Sequence, residues 1–256
     1  MSPYFFQSAT RSALGLVRDG NEDSAFTDTH IVAVADGMGG HVGGEIASSL
    51  AIKKLAALSH LYKSPDIDSD SVEDLLLNSV HSIDNELASY IEERPELEGM
   101  GTTLTSLVIV GSRVALLHVG DSRAYRVRGN SIDQLSLDHT VMQELISQGT
   151  ITPADVSTHP QRSMLTQVLM GTGIQSPALM EYEIKEGDRF ILCSDGLTNV
   201  LTEKEIKSLL QKDRTASVEK LIEATYLNGA PDNVTVVVAD ISTSSSDAQS
   251  FWGAAQ

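Results

Sequence analysis

Four apolar, β-rich runs of this chain each meet an aspartate at one end. HIVAVADG (30–37) stops at Asp36 and Gly37, LHVGD reaches Asp121, ILCSDG reaches Asp195, and PDNVTVVV begins at Asp232. Short runs of Val, Ile and Leu bounded by Gly and Asp read as buried strands. Such a chain is driven towards a sheet core with carboxylates at strand ends. Helical stripes lie between the runs. Ile46, Ala47, Leu50, Ala51, Leu55 and Leu58 form one, and Val72, Leu75, Leu76, Val80, Ile83, Leu87 and Tyr90 form a second. Two more helices are expected over about 202–211 and 217–227. The stretch 103–127, broken by Gly-Ser and Gly-Asp, reads as two or three strands joined by tight turns and therefore antiparallel. Residues 138–172 read as short helices within a mobile excursion. With no internal repeat and no linker, one domain over residues 1–241 is expected, followed by a flexible tail, 242–256.

A fifth acidic group, Glu22 and Asp23 in NEDS, follows RDG. Carboxylates at strand ends can converge on one sheet edge, where unpaired like charges repel strongly at low dielectric. Hard divalent cations remove that repulsion, and an all-oxygen donor set favours Mg²⁺ or Mn²⁺. Glycine after the aspartate leaves a carbonyl accessible as a further ligand. The net charge of −17, from 35 acidic and 18 basic residues, argues against nucleic acid and anionic lipid as partners. The single cysteine, Cys193, permits no internal disulfide. The start of the chain lacks the pattern of a secretory signal, and no run approaches the ~20 apolar residues of a membrane span. A cytoplasmic location and no membrane span are expected.

The series RDGNEDS, VADGMGGHVGGEIAS, GMGTTLT, HVGDSRAYRV, LCSDGLT and PDNVTVVV closely resembles, in order, the bacterial PP2C-type (PPM) protein serine/threonine phosphatases. The resemblance covers roughly residues 10 to 240. It implies an α+β fold, a four-layer α-β-β-α sandwich of two antiparallel sheets flanked by helix pairs. It implies hydrolysis of phosphoserine and phosphothreonine in proteins by a hydroxide held between two Mg²⁺ or Mn²⁺ ions, attacking phosphorus in line without a covalent intermediate. By the same resemblance Asp36 would bridge the two metals, with the Gly37 carbonyl on the second. Asp195 and Asp232 would hold the first, and Glu22 and Asp23 would support the second. A third metal would sit on Asp121 and Asp195. Arg18 would bind the substrate phosphate and His41 would act as general acid. Residues 140–165 would form a flap beside the site, with His159 in it. The partners implied are phosphoproteins and an opposing Ser/Thr kinase, and a monomer is expected.

Rival readings rest on single motifs. VGDSR suggests an esterase with Ser122 as nucleophile, but no histidine follows His159 to complete a late Asp-x-x-His. A cysteine phosphatase needs His-Cys-x5-Arg, whereas Leu192 precedes Cys193 and Asn199 holds the arginine position. DIDSDS (66–71) imitates an EF-hand start but has Ser71 and Leu77 where glycine and glutamate belong, and it reads as a solvated loop. A catalytically dead binding module should have lost metal-site aspartates, and none is missing.

Overall fold

The computed structural model describes residues 2–39, 43–62, 69–174, 177–245 and 249–256. In chain order its strands are β1 (Phe5–Ala13), β2 (Asp23–Thr27), β3 (Ile31–Met38), β4 (Gly101–Thr102), β5 (Leu104–Val110), β6 (Arg113–Val119), β7 (Arg123–Arg128), β8 (Ser131–Gln134), β9 (Ala178–Glu183), β10 (Arg189–Cys193), β11 (Val234–Ser242) and β12 (Ser250–Gly253). Its helices are α1 (Gly44–Ala57), α2 (Ser59–Tyr62), α3 (Ser69–Glu93), α4 (Val141–Ser147), α5 (Asp195–Thr198), α6 (Glu203–Leu209) and α7 (Arg214–Leu227).

The strands form two sheets, ordered β12-β2-β3-β5-β6-β9, with β4 also on β3, and β1-β11-β10-β7-β8. Every strand pair is antiparallel. Period-two alternation sets the layers. On β3, Val32 and Val34 turn inwards and meet Leu107, Leu116, Phe190, Leu192 and Val237 between the sheets. Ile31, Ala33 and Ala35 turn outwards and pack on α1 and α3 through Ala47, Ala51, Leu55, Leu76, Val80 and Ile83. The other sheet turns Ile191, Cys193, Val236 and Val238 outwards onto α5, α6 and α7 through Leu197, Ile206, Val218 and Leu221. This is the four-layer α-β-β-α arrangement that the resemblance implied. No described helix is long and apolar enough to cross a membrane.

Two expectations are corrected. Of the strands in 103–127, only β5 and β6 form a hairpin. After Val119 the chain leaves the first sheet, and β7 joins the second beside β10. Gly120, at φ +106, makes this crossing and carries Asp121 between the sheets. The stretch expected as a flexible tail, 242–256, instead contains a strand among its described residues, because Ser250–Gly253 pairs with β2 as the edge of the first sheet. Phe251 packs on Phe26 at 5.0 Å between ring centroids, and Ala254 N donates to the Asp23 carbonyl at 2.8 Å. The open edge of β2 supplies unpaired backbone groups, and the Phe-Trp pair supplies the apolar contact that seats the strand. The EF-hand-like segment falls partly outside the described residues, and Ser69–Ser71 begins α3 rather than extending a loop.

Candidate active site

The strand-end carboxylates meet at one edge of the sandwich. Asp36 on β3 lies in register with Asp23, the first residue of β2. Asp195 opens α5 directly after β10, and Asp232 stands two residues before β11. The crossing between sheets delivers Asp121 to the same edge. Burial lifts the Asp36 carboxyl well above the usual range, and Asp23, Asp195, Asp121 and Asp232 add repulsion. Asp23, 1% exposed, is pushed up to about 7, first by burial. The Ser194 hydroxyl opposes this by donating to its Oδ2 at 2.7 Å, while Asp195 and Asp232 reinforce it. Asp121 is also pushed up to about 7, first by burial and then by Asp195 and Asp138. Asp195 is raised by burial and Asp232, against hydrogen bonds from Asn199 and Asp36. Burial and Glu45 raise Glu22, while Arg18 opposes them.

The close approach of backbone segments explains the glycines. A Cβ on Gly37 would lie 2.1 Å from the Gly44 carbonyl oxygen and 2.5 Å from that of Glu22. The end of β3, the start of α1 and the backbone of Glu22 therefore share one contact, and no side chain fits there. Gly37 N also donates to the Glu22 carbonyl at 3.2 Å. Glu45 caps locally, its Oε2 accepting from Gly43 N at 3.2 Å, which is the structural role its position suggests.

These residues fit an all-oxygen cation site. Asp23 Oδ1 is buried and has no hydrogen-bond partner among the described residues. An orphaned buried carboxylate oxygen amid other carboxylates calls for a cation or a proton. No cluster of three acidic or imidazole side chains already stands at metal-holding spacing among the described residues. In the structure the carboxylates are instead held apart by neutral donors, Ser194 on Asp23 and Asn199 on Asp195.

Arg18 borders the edge, and its Nη2 donates to Asp232 Oδ2 at 2.6 Å. That pair is half-exposed, so it is worth little as a stabilising bridge. His41 lies outside the described residues. His159 sits at the end of the 3₁₀ turn Pro153–Thr158, and its Nδ1 accepts from Gln161 N at 3.2 Å. Residues 140–165, expected as a flap, carry α4, and a bridge between Thr140 and Leu165 joins the two ends of the segment.

Four supporting residues went unread in the sequence. Ser194 orients Asp23. Asn199 Nδ2 donates to Asp195 Oδ2 at 2.9 Å, one helical turn on. Asn233 Oδ1 accepts from Glu22 N at 2.9 Å and ties the first motif to the last. Thr103 Oγ1 accepts from Asp36 N at 2.9 Å. Each lies beside or one turn from a predicted aspartate or in a quoted motif, so the signal was adjacency.

The rival nucleophiles fail on geometry. Ser122 is fully buried, and its hydroxyl pairs with that of Thr103 at 2.8 Å rather than with an imidazole. Burial pushes the Cys193 thiol up to about 12, which leaves no thiolate at neutral pH.

The family model described as Protein phosphatase 2C matches residues 19–231. The serine/threonine protein phosphatase PstP of Mycobacterium tuberculosis is 44% identical over 237 residues, 91% of this chain and 44% of that protein. The chain thus spans less than half the length of that relative. The serine/threonine phosphatase stp of Listeria monocytogenes is 33% identical over 239 residues, 90% of this chain and 94% of that one. A solved catalytic domain of PstP in complex with two manganese ions is similar at TM-score 0.82 and 39% identity, covering 93% of this chain and 99% of that one.

Proposed function

The chain belongs to the PP2C family of protein phosphatases, and on that premise we propose that it hydrolyses phosphoserine and phosphothreonine in proteins, with Mg²⁺ or Mn²⁺ at the carboxylate edge. The observation that carries the reading is the crowding of Asp23, Asp121, Asp195 and Asp232 around the withdrawn carboxyl of Asp36. Such a cluster is relieved either by protons or by cations, and at neutral pH a divalent cation is the stronger of the two. The manganese ions of the similar PstP catalytic domain support the choice of cation.

In this reading Asp36, the Gly37 carbonyl, Asp195 and Asp232 hold two cations, with Glu22 and Asp23 in support. Asp121 and Asp195 hold a third. Cations bound there would lower the pKa of a bound water and neutralise phosphoryl oxygens, so that no side chain need become covalently attached. The residues of the chain do the rest. Ser194 and Asn199 fix the carboxylate rotamers of Asp23 and Asp195. Arg18 exchanges Asp232 for a substrate phosphate oxygen, a swap that its half-exposed position allows. His41 gives a proton to the departing serine or threonine oxygen. Residues 140–165 border the bound phosphopeptide. The opposing partner is a Ser/Thr kinase, and the protein acts as a cytoplasmic monomer.

Removal of metal tests this directly. EDTA followed by dialysis should lower hydrolysis of a phosphothreonine peptide by at least ~100-fold, and Mn²⁺ or Mg²⁺ should restore it. Alkylating Cys193 should change little. Full activity in EDTA would overturn the reading.

A further inference from the structure

Asp84 sits in the middle of α3, far in sequence from every acidic motif, and is 4% exposed. Its carboxylate faces a loop rather than a basic side chain. Oδ1 accepts from Met170 N at 3.1 Å and Gly171 N at 2.8 Å, and Oδ2 accepts from Gly173 N at 2.8 Å. Gly171 and Gly173 have φ of +74 and +89, so left-handed steps turn these amides towards one point. Such a backbone nest is an anion-binding device, and here the anion is a side chain of the protein itself. The loop lies hard against the helix, because a Cβ on Gly171 would stand 2.5 Å from Ala88 N.

The loop in turn holds the site. Leu169 and Thr102 exchange backbone hydrogen bonds at 2.9 and 3.0 Å. Met170 presses on Gly101, where a Cβ would meet its Cγ at 2.9 Å. Thr102 Oγ1 then donates to the Asp36 carbonyl at 3.0 Å, and Thr103 N donates to the same oxygen at 2.9 Å. The path is short and made of hydrogen bonds throughout: Asp84, the loop 169–173, β4, and the backbone of Asp36. The same loop follows closely after Leu165, whose bridge to Thr140 closes the 140–165 segment.

We infer that Asp84 is a positioning residue of this site, fixing the root of the flap and through β4 the backbone that carries Asp36. The inference rests on the cation-binding role proposed for Asp36. Asp84 touches neither substrate nor cation. It sets where Asp36 stands.

The test uses the full chain as wild type, Asp84→Ala and Asp84→Asn. Amide exchange is followed at Met170, Gly171, Gly173 and Thr102, and Mn²⁺ affinity is measured by calorimetric titration. In Asp84→Ala, exchange at those four amides should rise, Mn²⁺ should bind about 10-fold more weakly, and kcat should fall with it, the usual scale for losing a residue that orients a ligand. Asp84→Asn should fall between, because its Oδ1 still accepts two amides while its NH₂ opposes Gly173. That intermediate position would survive even if Asp84→Ala failed to fold. Mn²⁺ affinity within about twofold of wild type in Asp84→Ala would overturn the inference, on the same scale. So would a loss that merely tracks the unfolded fraction. A wild type that binds Mn²⁺ but cleaves no phosphopeptide would sink the phosphatase reading alone, and weaker binding in the variants would still support Asp84.

Discussion

The two ends of β10 treat a buried aspartate in opposite ways. Asp188, just before the strand, and Asp23, which meets Ser194 just after it, are each 1% exposed. Burial pushes the Asp188 carboxyl up, but Arg128 and Lys185 N more than offset it, and the group ends below its usual range. Arg128 is bidentate there at 2.7 and 2.6 Å, and Lys185 N donates at 2.9 Å. Asp23 receives a serine hydroxyl and faces further carboxylates, and it ends near 7. Equally low exposure thus ends in opposite ionisation, with Asp23 set deeper among protein atoms and without a basic partner. The difference lies in whether the fold supplies a cation of its own or leaves the place to one from solution. One end of the strand is finished by the chain, and the other is completed only by a ligand.

The largest expected break in this comparison comes from removing charge at the unfinished end. Asp36→Asn or Asp195→Asn should lower turnover by ~100-fold or more with the fold intact, since each is proposed to touch two cations. Either variant keeping more than about a tenth of wild-type rate would contradict those assignments. Without metal, both variants should melt no lower than wild type, because a repelling charge has gone.

Removing charge at the finished end should do the reverse. Arg128→Ala leaves Asp188 buried without its partner. Losing one member of a fully buried pair costs about 3–5 kcal/mol, and the partial exposure of Arg128 reduces this to about 2 kcal/mol. Activity per folded molecule should not change. Urea titration separates the two effects. The pH dependence follows from the depressed ionisation of Asp188. Its stabilising contribution is present above the ordinary carboxylate range, near 4, and is lost as pH falls through the lower folded value. The stability gap between wild type and Asp188→Asn should therefore be widest near neutrality and close in acid. A gap that widens towards acid would refute the pairing as its source.

The smallest effect sharpens the unfinished end. Asn199→Ala removes the donor that holds Asp195 Oδ2 and should weaken Mn²⁺ binding by about 10-fold, with little change in melting without metal. Unchanged affinity would make Asn199 a helix-end residue and nothing more.

The unfinished end was the more legible one in the sequence. Each aspartate there sits where a β-rich run meets a turn, and that boundary is a local signal. Asp188 gave no such sign, because its partner lies on β7 and only the sheet brings them together. The same limit hid the crossing after Val119, since a glycine that turns a hairpin and one that changes sheets look alike along the chain. β1 went unread because FFQSATRSA puts Ser8, Thr10 and Ser12 on the same face as Phe6, which breaks the apolar alternation, and its strand character comes from nine-residue pairing with β11. Ser250–Gly253 is four residues long, and it is a strand because β2 offers an edge. Asp84 was invisible for a further reason. Its partners are backbone amides, and those leave no mark in residue type.

The pairing of β1 with β11 joins Phe5 to Ser242. On the ribosome the first strand therefore stays without its partner until residue 242 has been made. The outer edge of β2 waits longer still, for β12. Contacts of such sequence separation close late and slowly. Asp23 is made early, while Ser194 and Asp232 follow it by more than half of the sequence given. The nascent chain cannot assemble a charged cation cage around a half-built core, and the helices α1 and α3 have time to dock on β3 first. Until then β1 and β2 are exposed strand edges of the kind that chaperones shield and that aggregation exploits.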